Sequence, residues 1–366
     1  MPTWGTINNE LQVLLLEQQR SPDQADPLGA SPYDRIRRKY SAALAAYSGR
    51  PVIVYASGWL EFRPVPDPRM LQVSTGDLMG FMEAVHGLDR GPLDLMLHSP
   101  GGDADAAKAI MSYLRDSGFE PIRAIVPISA MSAATMMALS CDEILMGRHS
   151  QLGPVDPQFT LTTPDGPRTA PAQAILDQFE AAKTECASNP AALAAWLPIL
   201  RSYLPGLLNQ CQTAQEAAEE TVTAAMTKYM FKDIDPDEAK AKAGEIAAWF
   251  NDHKMHRSHG RPLRFDDLSA RGVRVSLLEA DGALQDHVLS AWHGVELSLS
   301  GVNVNKLIEN HLGKAWILSG GGLQITIGGP GGQAPGGAQV PPSAPQRPPL
   351  PPANRAQRRA QGRGRR

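Results

Sequence analysis

The sequence has few cysteines, few aromatic residues and no zinc-type ligand pattern. Its 366 residues include three cysteines, Cys141, Cys186 and Cys211, and aromatic residues make up 6%. Three thiols far apart, with no CxxC pair, are typical of a reducing compartment and exclude a disulfide-based fold. No GxGxxG follows a predicted strand either. The sequence therefore predicts neither a metal nor an organic cofactor.

Long apolar runs are also missing. In the first twenty residues the longest apolar run covers residues 13–16. A secretory signal needs roughly 7–15 apolar residues after a basic start, and a membrane helix needs roughly 20. We therefore expect a cytoplasmic protein without a membrane span.

Acidic residues are missing from one segment, the C-terminal tail. Residues 328–366 hold nine Pro, eight Gly and seven Arg but no acid; since the formal charge of the chain is −3, residues 1–327 carry −10. An acidic body disfavours nucleic-acid binding, so no nucleic-acid partner is expected. The tail cannot bury enough apolar area to offset an ordering cost of roughly 1–2 kcal/mol per residue, which predicts disorder. Its PPLPP stretch and arginines suit a tail-binding partner, and a solubilising tail without a partner is the alternative.

What remains is a globular chain of one large or two modest domains. Apolar residues make up 42% and charged residues 20%, as in ordinary folded domains. We predict an N-terminal helical segment over residues 1–30 and an α/β domain over 31–327. Its second half becomes helical from about residue 170, and the disordered tail follows at 328–366.

The α/β domain is predicted from apolar runs that alternate with helical patterns. Buried strands are predicted at 51–59, 93–99, 121–129 and 142–147, and helices at 31–48, 74–88, 103–117 and 132–140. This alternation indicates βαβ units and a parallel sheet covered on both faces. Further helices are predicted at 170–186, 190–213, 214–230, 235–250 and 303–312, with strands or short helices within 260–300 and a strand at 315–327.

Two short segments place chemical groups at the carboxyl ends of predicted strands. The first is HSPGG over residues 98–102. Ligands bind at this end of an α/β sheet, and Pro100-Gly101-Gly102 lets the backbone approach a bound group without side chains in the way. The helix that follows from Asp103 directs free amides to the same point. By itself, the segment is also explained as a plain strand–helix turn.

The second segment is IVPISAMSAATMMALS over residues 125–140. Here a strand ends and a helix of small residues begins, with Ser132 near the first turn. Its hydroxyl and the neighbouring free amides suit a nucleophile with an oxyanion hole. The alternative is an N-cap serine, a role for which Ser129 competes.

In combination, the two segments resemble the Clp protease/crotonase superfamily and, more specifically, the serine dehydrogenase proteinase family. That family is a branch of the Clp-fold serine peptidases related to signal peptide peptidase A. The resemblance covers roughly residues 35–315. It is carried by three segments, LMLHSPGGDADAAKAI (95–110), VPISAMSAATMMALSCDEILMG (126–147) and HSQLGPVDPQF (149–159).

The resemblance implies a Clp/crotonase-like spiral of βαβ units and a homo-oligomer. It implies Ser132 as nucleophile, with the backbone amides of Gly102 and Ala133 as oxyanion donors. Gly101 and Pro100 would line the substrate, which binds as an added strand beside the loop. No Walker motif is present, so any ATP-driven unfolding would come from another chain.

One departure concerns the base. At the position of the Clp protease histidine the chain has Val155, so the resemblance favours a Ser–Lys dyad as in signal peptide peptidase A. Lys183 lies 51 residues after Ser132, on the predicted helix 170–186. Beside the apolar face of that helix, a lysine loses solvent and its pKa falls toward that of a base. The alternative is an ordinary exposed helix lysine.

Other titratable residues receive structural interpretations. His253, His256 and His259 are spaced by three, which suits a zinc helix poorly and favours a solvated basic turn. The resemblance includes a His-Gly pair near this point, which implies a structural role for His259-Gly260. Asp156 either orients a partner or caps a turn. His98 borders the glycine loop, and its side chain points either into the cleft or into the core.

We expect a serine endopeptidase that cleaves peptides or unfolded protein segments through an acyl-enzyme. Two alternatives stay open at this point. One is a Clp-fold scaffold without catalysis, which the missing histidine favours. The other is a crotonase-type acyl-CoA enzyme, which shares the oxyanion hole.

Overall fold

The buried apolar runs of this sequence form one central sheet between two layers of helices. The computed structural model describes residues 3–20, 30–61, 65, 67–163, 166–302, 304–320 and 322–326. The predicted disordered tail at 328–366, and residues 21–29 of the predicted N-terminal helical segment, lie outside this part.

The strands of the described chain are β1 (Val52–Ser57), β2 (Gly91–His98), β3 (Phe119–Val126), β4 (Ser129–Ala130), β5 (Glu143–Met146), β6 (Gln151–Leu152), β7 (Gln158–Thr163), β8 (Gly166–Pro171), β9 (Val275–Leu277), β10 (Val304–Asn310), β11 (Ala315–Ser319) and β12 (Gly322–Thr326). The helices are α1 (Trp4–Arg20), α2 (Pro32–Ser48), α3 (Asp77–Ala84), α4 (Ala104–Asp116), α5 (Ala133–Leu139), α6 (Ala172–Ser188), α7 (Leu193–Leu200), α8 (Leu207–Ala225), α9 (Pro236–Asn251), α10 (His253–His256), α11 (Phe265–Ala270) and α12 (Gly282–Gly301).

The main sheet has eight strands in the order β12-β11-β10-β1-β2-β3-β5-β9. The five strands from β1 to β9 run parallel, and β10, β11 and β12 join antiparallel at one edge. Strand β1 and the last six residues of β2 are mostly apolar and buried on both faces, as expected for parallel strands between helical layers. The predicted α/β architecture is therefore confirmed.

Each face of the sheet has its own helical cover. Helices α2 and α12 pack on one face, and α3, α4, α5 and α9 pack on the other. The helices that follow β2 and β3 begin at the carboxyl ends of these strands. The turns that carry the two candidate segments therefore meet at one edge of the sheet.

The predicted last helix, 303–312, is wrong, because residues 304–310 form strand β10. Its apolar residues, Val304, Leu307 and Ile308, recur at the three- and four-residue spacing of a helix, which explains the error. All seven residues of β10 are buried. The polar ones among them bond to partners elsewhere in the fold, a compensation that local sequence does not show.

The helical region also differs in detail from the predicted elements. The predicted boundary at 213/214 falls inside α8, and the predicted helix 190–213 is divided between α7 and α8. The hairpin of β7 and β8 was not predicted. Its residues are mostly polar and half-exposed, so they lack the apolar signal of a strand. Within the described ranges, no helix has the length and apolarity needed to cross a membrane.

His98, at the end of β2, points into the core and not into the cleft. Its ring lies between the indoles of Trp59 and Trp292, with centroid distances of 5.9 and 4.6 Å, and it is 3% exposed. Burial lowers the pKa of His98 to about 3, against a weaker opposing effect of the Ser129 backbone. The folded protein therefore keeps this imidazole neutral.

This burial predicts a specific loss of stability in acid. The unfolded chain protonates His98 near its ordinary pKa of about 6.5, whereas the folded chain does so only near 3. The contribution of the neutral His98 imidazole to the free energy of unfolding is complete above pH 6.5 and is lost as the pH falls toward 3. At pH 5 the loss amounts to about 2 kcal/mol. Denaturant unfolding from pH 8 to pH 5 should show a shallower pH slope for His98→Gln than for the wild type, and equal slopes would contradict the assignment.

Candidate active site

Ser132 lies in a strained turn between strand β4 and helix α5. Its φ of 51° and ψ of −119° make it one of two non-glycine residues with positive φ in the described chain. The serine occupies the N-cap position, but its side chain makes no capping hydrogen bond. A non-glycine residue in such a conformation costs about 1–3 kcal/mol and persists only when its surroundings hold it. Because the side chain makes no capping bond, its hydroxyl is left available for chemistry.

The glycine loop packs directly against this turn. Gly101 and Gly102 have φ values of 92° and 150°. A Cβ at Gly101 would lie 2.5 Å from the carbonyl oxygen of Met131 and 2.6 Å from the Cβ of Ser132. Only glycine fits here, because the position requires both positive φ and the absence of a side chain.

The same loop is held from its other side by Val73. The amide of Val73 donates to the carbonyl of Gly101 at 2.7 Å, and its carbonyl accepts from the amide of Asp103 at 3.0 Å. Gly102 lies between these two bonds. Its own N–H, and that of Ala133, find no acceptor among the described residues. Two free donors beside a strained serine are the geometry of an oxyanion hole.

A cavity of about 590 Å³ opens over these groups. The glycine loop and the start of α5 form one wall, and the β7–β8 hairpin and α8 form the other. Its lining residues are Gln72, Pro100, Gly102, Asp103, Ala104, Asp105, Ser132, Ala133, Met136, Val155, Pro157, Gln158, Thr160, Thr169, Ala214, Ala217, Ala218, Thr221 and His259. The predicted residues Ser132, Gly102, Ala133 and Pro100 therefore lie together, whereas the buried Gly101 supports the cavity from behind.

A histidine and an aspartate complete the constellation. Asp156 is 2% exposed, and its Oδ1 lies 2.7 Å from Nδ1 of His259. Gln158 donates to its other oxygen at 2.8 Å. When Nδ1–H donates to Asp156, Nε2 of the same ring is left as an acceptor. His259 and Ser132 line one cavity, so the chain contains the three side-chain types of a serine hydrolase triad.

Two short pairings bring these distant residues together. Leu152 and Leu263 exchange two backbone hydrogen bonds of 2.9 Å, which holds the His259 loop beside the Asp156 segment. The amide of Gly153 donates to Oγ1 of Thr135 on helix α5 at 3.0 Å, which ties that segment to the helix that begins after Ser132.

The structure does not bring Lys183 to the cavity. Its side chain is 65% exposed, and its Nζ lies 2.9 Å from Glu180 one turn earlier on α6. The predicted apolar face is real, with Ile175 and Ala182 buried, but Lys183 lies on the outward side of the helix. An exposed lysine beside a carboxylate lacks the desolvation that a lysine base needs.

The expectation of a solvated basic turn at the three histidines is wrong. His256 is 3% exposed, and its Nε2 lies 2.6 Å from the carbonyl of Trp249. Burial lowers the pKa of His256. His253 Nδ1 lies 3.2 Å from Oδ2 of Asp156, outside hydrogen-bonding geometry. Among the described residues, no group of three or more metal-binding side chains is present.

Sequence spacing gave no sign of the pairing between Asp156 and His259. The two residues are 103 positions apart, and helices α6 to α10 lie between them. The sequence signals are that Asp156 follows Val155 in a segment near the expected cleft and that the resemblance includes a His-Gly pair at His259-Gly260. The Leu152–Leu263 pairing brings His259, one of nine histidines, to hydrogen-bonding distance of Asp156.

Comparison with known proteins connects part of the chain to a family. Residues 81–192 match the model of a family described as ClpP-like SDH-type serine proteinase. The match includes Gly102, Ser132, Ala133 and Asp156 and ends before His259. It confirms the resemblance noted from sequence and, with the mainly parallel sheet, the predicted Clp-like fold.

Curated relatives and solved structures share smaller likenesses. Two uncharacterized proteins of Methanocaldococcus jannaschii are 48% and 42% identical over 68 residues, 19% of this chain, and the chain spans only 23% of each relative's length. A mutant form of the 1510-N membrane-bound stomatin-specific protease is 16% identical, with a TM-score of 0.32, over 56% of this chain and 75% of its own. An enoyl-CoA hydratase from Mycobacterium avium subsp. paratuberculosis K-10 is 14% identical, with a TM-score of 0.19, over 50% and 85%.

The close packing of Gly101 predicts a large loss of stability on Gly101→Ala. Gly91 is the matched control, because its φ of 109° is similar but nothing lies within 4 Å of a Cβ there. Both changes carry the backbone strain, and only Gly101→Ala adds overpacking, which costs about 1–3 kcal/mol. Denaturant unfolding should show the free energy of unfolding lower by that amount in Gly101→Ala than in Gly91→Ala. Equal losses would mean that the two turns do not touch.

Proposed function

We propose that this chain, whose residues 81–192 match the ClpP-like SDH-type serine proteinases, hydrolyses peptide bonds through an acyl-enzyme on Ser132. The observation that carries the mechanism is the 2.7 Å contact between Asp156 and His259, with His259 and Ser132 on the same cavity. This arrangement provides a nucleophile, a base and a carboxylate that orients the base.

In the first step Oγ of Ser132 attacks the carbonyl carbon of the substrate, and its proton passes to Nε2 of His259. The negative charge that forms on the carbonyl oxygen accepts hydrogen bonds from the amides of Gly102 and Ala133. His259 then gives the proton to the departing amine, and the C–N bond breaks. Asp156 accepts from Nδ1–H throughout and stabilises the imidazolium.

In the second step water hydrolyses the acyl-enzyme. His259 takes a proton from the water, whose oxygen attacks the ester carbonyl of the acyl group. The oxyanion again accepts from the same two amides. Collapse of this intermediate returns the proton to Oγ of Ser132 and releases the carboxylic acid product.

The cavity supports a peptide as substrate. Its lining includes the apolar side chains of Met136, Val155 and Ala218, which suit an uncharged side chain of the substrate. Binding of the substrate as an added strand beside the glycine loop would have to avoid the edge that Val73 already occupies. Cleavage within a chain or an unfolded segment is part of the proposal.

Labelling by a fluorophosphonate probe tests the nucleophile and the base. The wild type should be labelled at Ser132, and Ser132→Ala should abolish the signal. His259→Ala should slow labelling by about 10⁴-fold or more, since it removes the base, whereas Lys183→Ala serves as the control and should stay within about twofold. A protein that is never labelled would be the non-catalytic scaffold, and a loss of labelling in Lys183→Ala alone would restore the Ser–Lys dyad.

Turnover of defined substrates tests the reaction class. Fluorogenic peptides with an apolar residue before the cleaved bond should be hydrolysed by the wild type, and Asp156→Asn should lower kcat by about 10⁴-fold because the imidazole loses its orientation. The matched control is Asp177→Asn, whose carboxylate pairs with Lys254 away from the cavity lining. Binding of acyl-CoA without a covalent adduct, and no peptide hydrolysis, would instead identify a crotonase-type enzyme.

Three expectations stay predictions. Homo-oligomerisation, a partner for the proline- and arginine-rich tail, and a cytoplasmic location rest on the sequence and on the resemblance alone. A separate ATPase subunit would be needed only if folded proteins are the substrates.

A further inference from the structure

Beneath the glycine loop lies a buried ion pair that the proposed reaction does not use. Lys306 of strand β10 is 2% exposed, and its Nζ lies 2.7 Å from Oδ1 of Asp77, which is 1% exposed. The hydroxyl of Tyr55 donates to the same carboxylate at 2.8 Å. Burial lowers the pKa of Lys306, and Asp77 opposes this change.

The ion pair anchors residues 72–74, a strap that lies against the glycine loop. Nζ of Lys306 donates to the carbonyl of Gln72 at 2.6 Å, and Oδ2 of Asp77 accepts from the amide of Ser74 at 2.9 Å. The residue between these two anchors is Val73. One side chain of the pair therefore holds the chain before Val73, and the other holds the chain after it.

Val73 in turn fixes the direction of the Gly102 amide. It bonds to the carbonyl of Gly101 and to the amide of Asp103, so the peptide groups on both sides of Gly102 are restrained. A Cβ at Gly102 would lie 2.6 Å from the nitrogen of Val73, which shows how closely the two segments pack. Glycine at positive φ is otherwise free to turn its peptide group.

Burying two charges is costly, and an apolar pair of similar size often stabilises a protein as well or better. Stability alone is therefore a weak explanation for this pair. The contacts of Lys306 and Asp77 converge instead on the two ends of one three-residue strap.

We propose that Lys306 and Asp77 are positioning residues that hold the Gly102 N–H toward the oxyanion through residues 72–74, an inference that rests on the proposed function. Without the pair, the strap loses both anchors, and the Gly101–Gly102 segment gains conformations in which this N–H points away. The transition state then loses one of its two donors, whereas binding of the ground state changes little.

The test compares two double variants that each remove one buried ion pair of strand β10. Lys306→Met/Asp77→Asn removes the ion pair that anchors residues 72–74. Arg37→Met/Glu309→Gln removes the control pair, in which Arg37 and Glu309 are 1% and 4% exposed and 2.8 Å apart, and whose hydrogen bonds go to residues outside the strap. Both variants neutralise both members of the pair they remove.

We expect kcat for a fluorogenic peptide to fall about 10- to 100-fold in Lys306→Met/Asp77→Asn with KM within about twofold. These values correspond to the partial loss of one oxyanion donor. The control variant Arg37→Met/Glu309→Gln should keep kcat within about twofold of the wild type, even if its unfolding midpoint falls as much as that of Lys306→Met/Asp77→Asn. An equal fall of kcat in both variants, or a change confined to KM, would overturn the proposal.

Hydrogen exchange measured on the same proteins gives a readout that does not depend on activity. The amides of Val73 and Asp103 should exchange at least tenfold faster in Lys306→Met/Asp77→Asn and at the wild-type rate in the control. Unchanged exchange would overturn the positioning role even in an active enzyme. If exchange is faster but fluorophosphonate does not label the wild type, the ion pair does hold residues 72–74, and the proposed function is refuted.

Tyr55→Phe is a milder variant for the case that the double variant does not fold. It removes only the hydroxyl that donates to Asp77 and keeps the ring packed against Phe81. As in the double variant, the Val73 amide should exchange faster and kcat should fall, each by at least about twofold. A Tyr55→Phe protein with wild-type exchange and wild-type kcat would count against the proposal.

Discussion

The candidate site depends on the contact between two turns at the carboxyl edge of the sheet. Gly101 lies so close to Met131 and Ser132 that no side chain fits between them. This contact places the amide of Gly102 beside that of Ala133 and supports the positive φ of Ser132. Because a close-packed interior transmits small displacements, every element that moves one turn also moves the free amides of Gly102 and Ala133. The sheet itself acts as the rigid base from which both turns start.

Charges placed inside the protein hold the irregular segments of this edge. Asp156 is buried and orients His259 on a loop, and Asp77 with Lys306 holds the strap over the glycine loop. Both carboxylates receive several hydrogen bonds, as buried charges require. Helices alone would not fix these segments, since both are irregular backbone between regular elements. Polar bonds with defined direction provide the precision that apolar packing lacks.

Much of the fold could be predicted because its signals are local. Strands β1, β2, β3 and β5 and their helices lie within a few residues of the predicted ranges, since each of these strands is an apolar run between helical patterns. Strand β10 could not be recognised in the same way. Its spacing imitates a helix, and Lys306 and Glu309 are buried only because partners elsewhere in the fold compensate their charges.

The sequence by itself determined the parallel core and the glycine loop, because each consists of neighbouring residues whose conformations follow from local chemistry; Ser132 was selected from the N-cap alternative only by the family resemblance. Only the tertiary structure decided which titratable side chains share a cavity with that serine. It placed His259 on the cavity with Asp156 and left Lys183 exposed on the outer side of α6. The physical reason is that the neighbours of a side chain and its loss of solvent are set by distance in space. Both depend on pairings such as Leu152 with Leu263, between segments that share no local pattern.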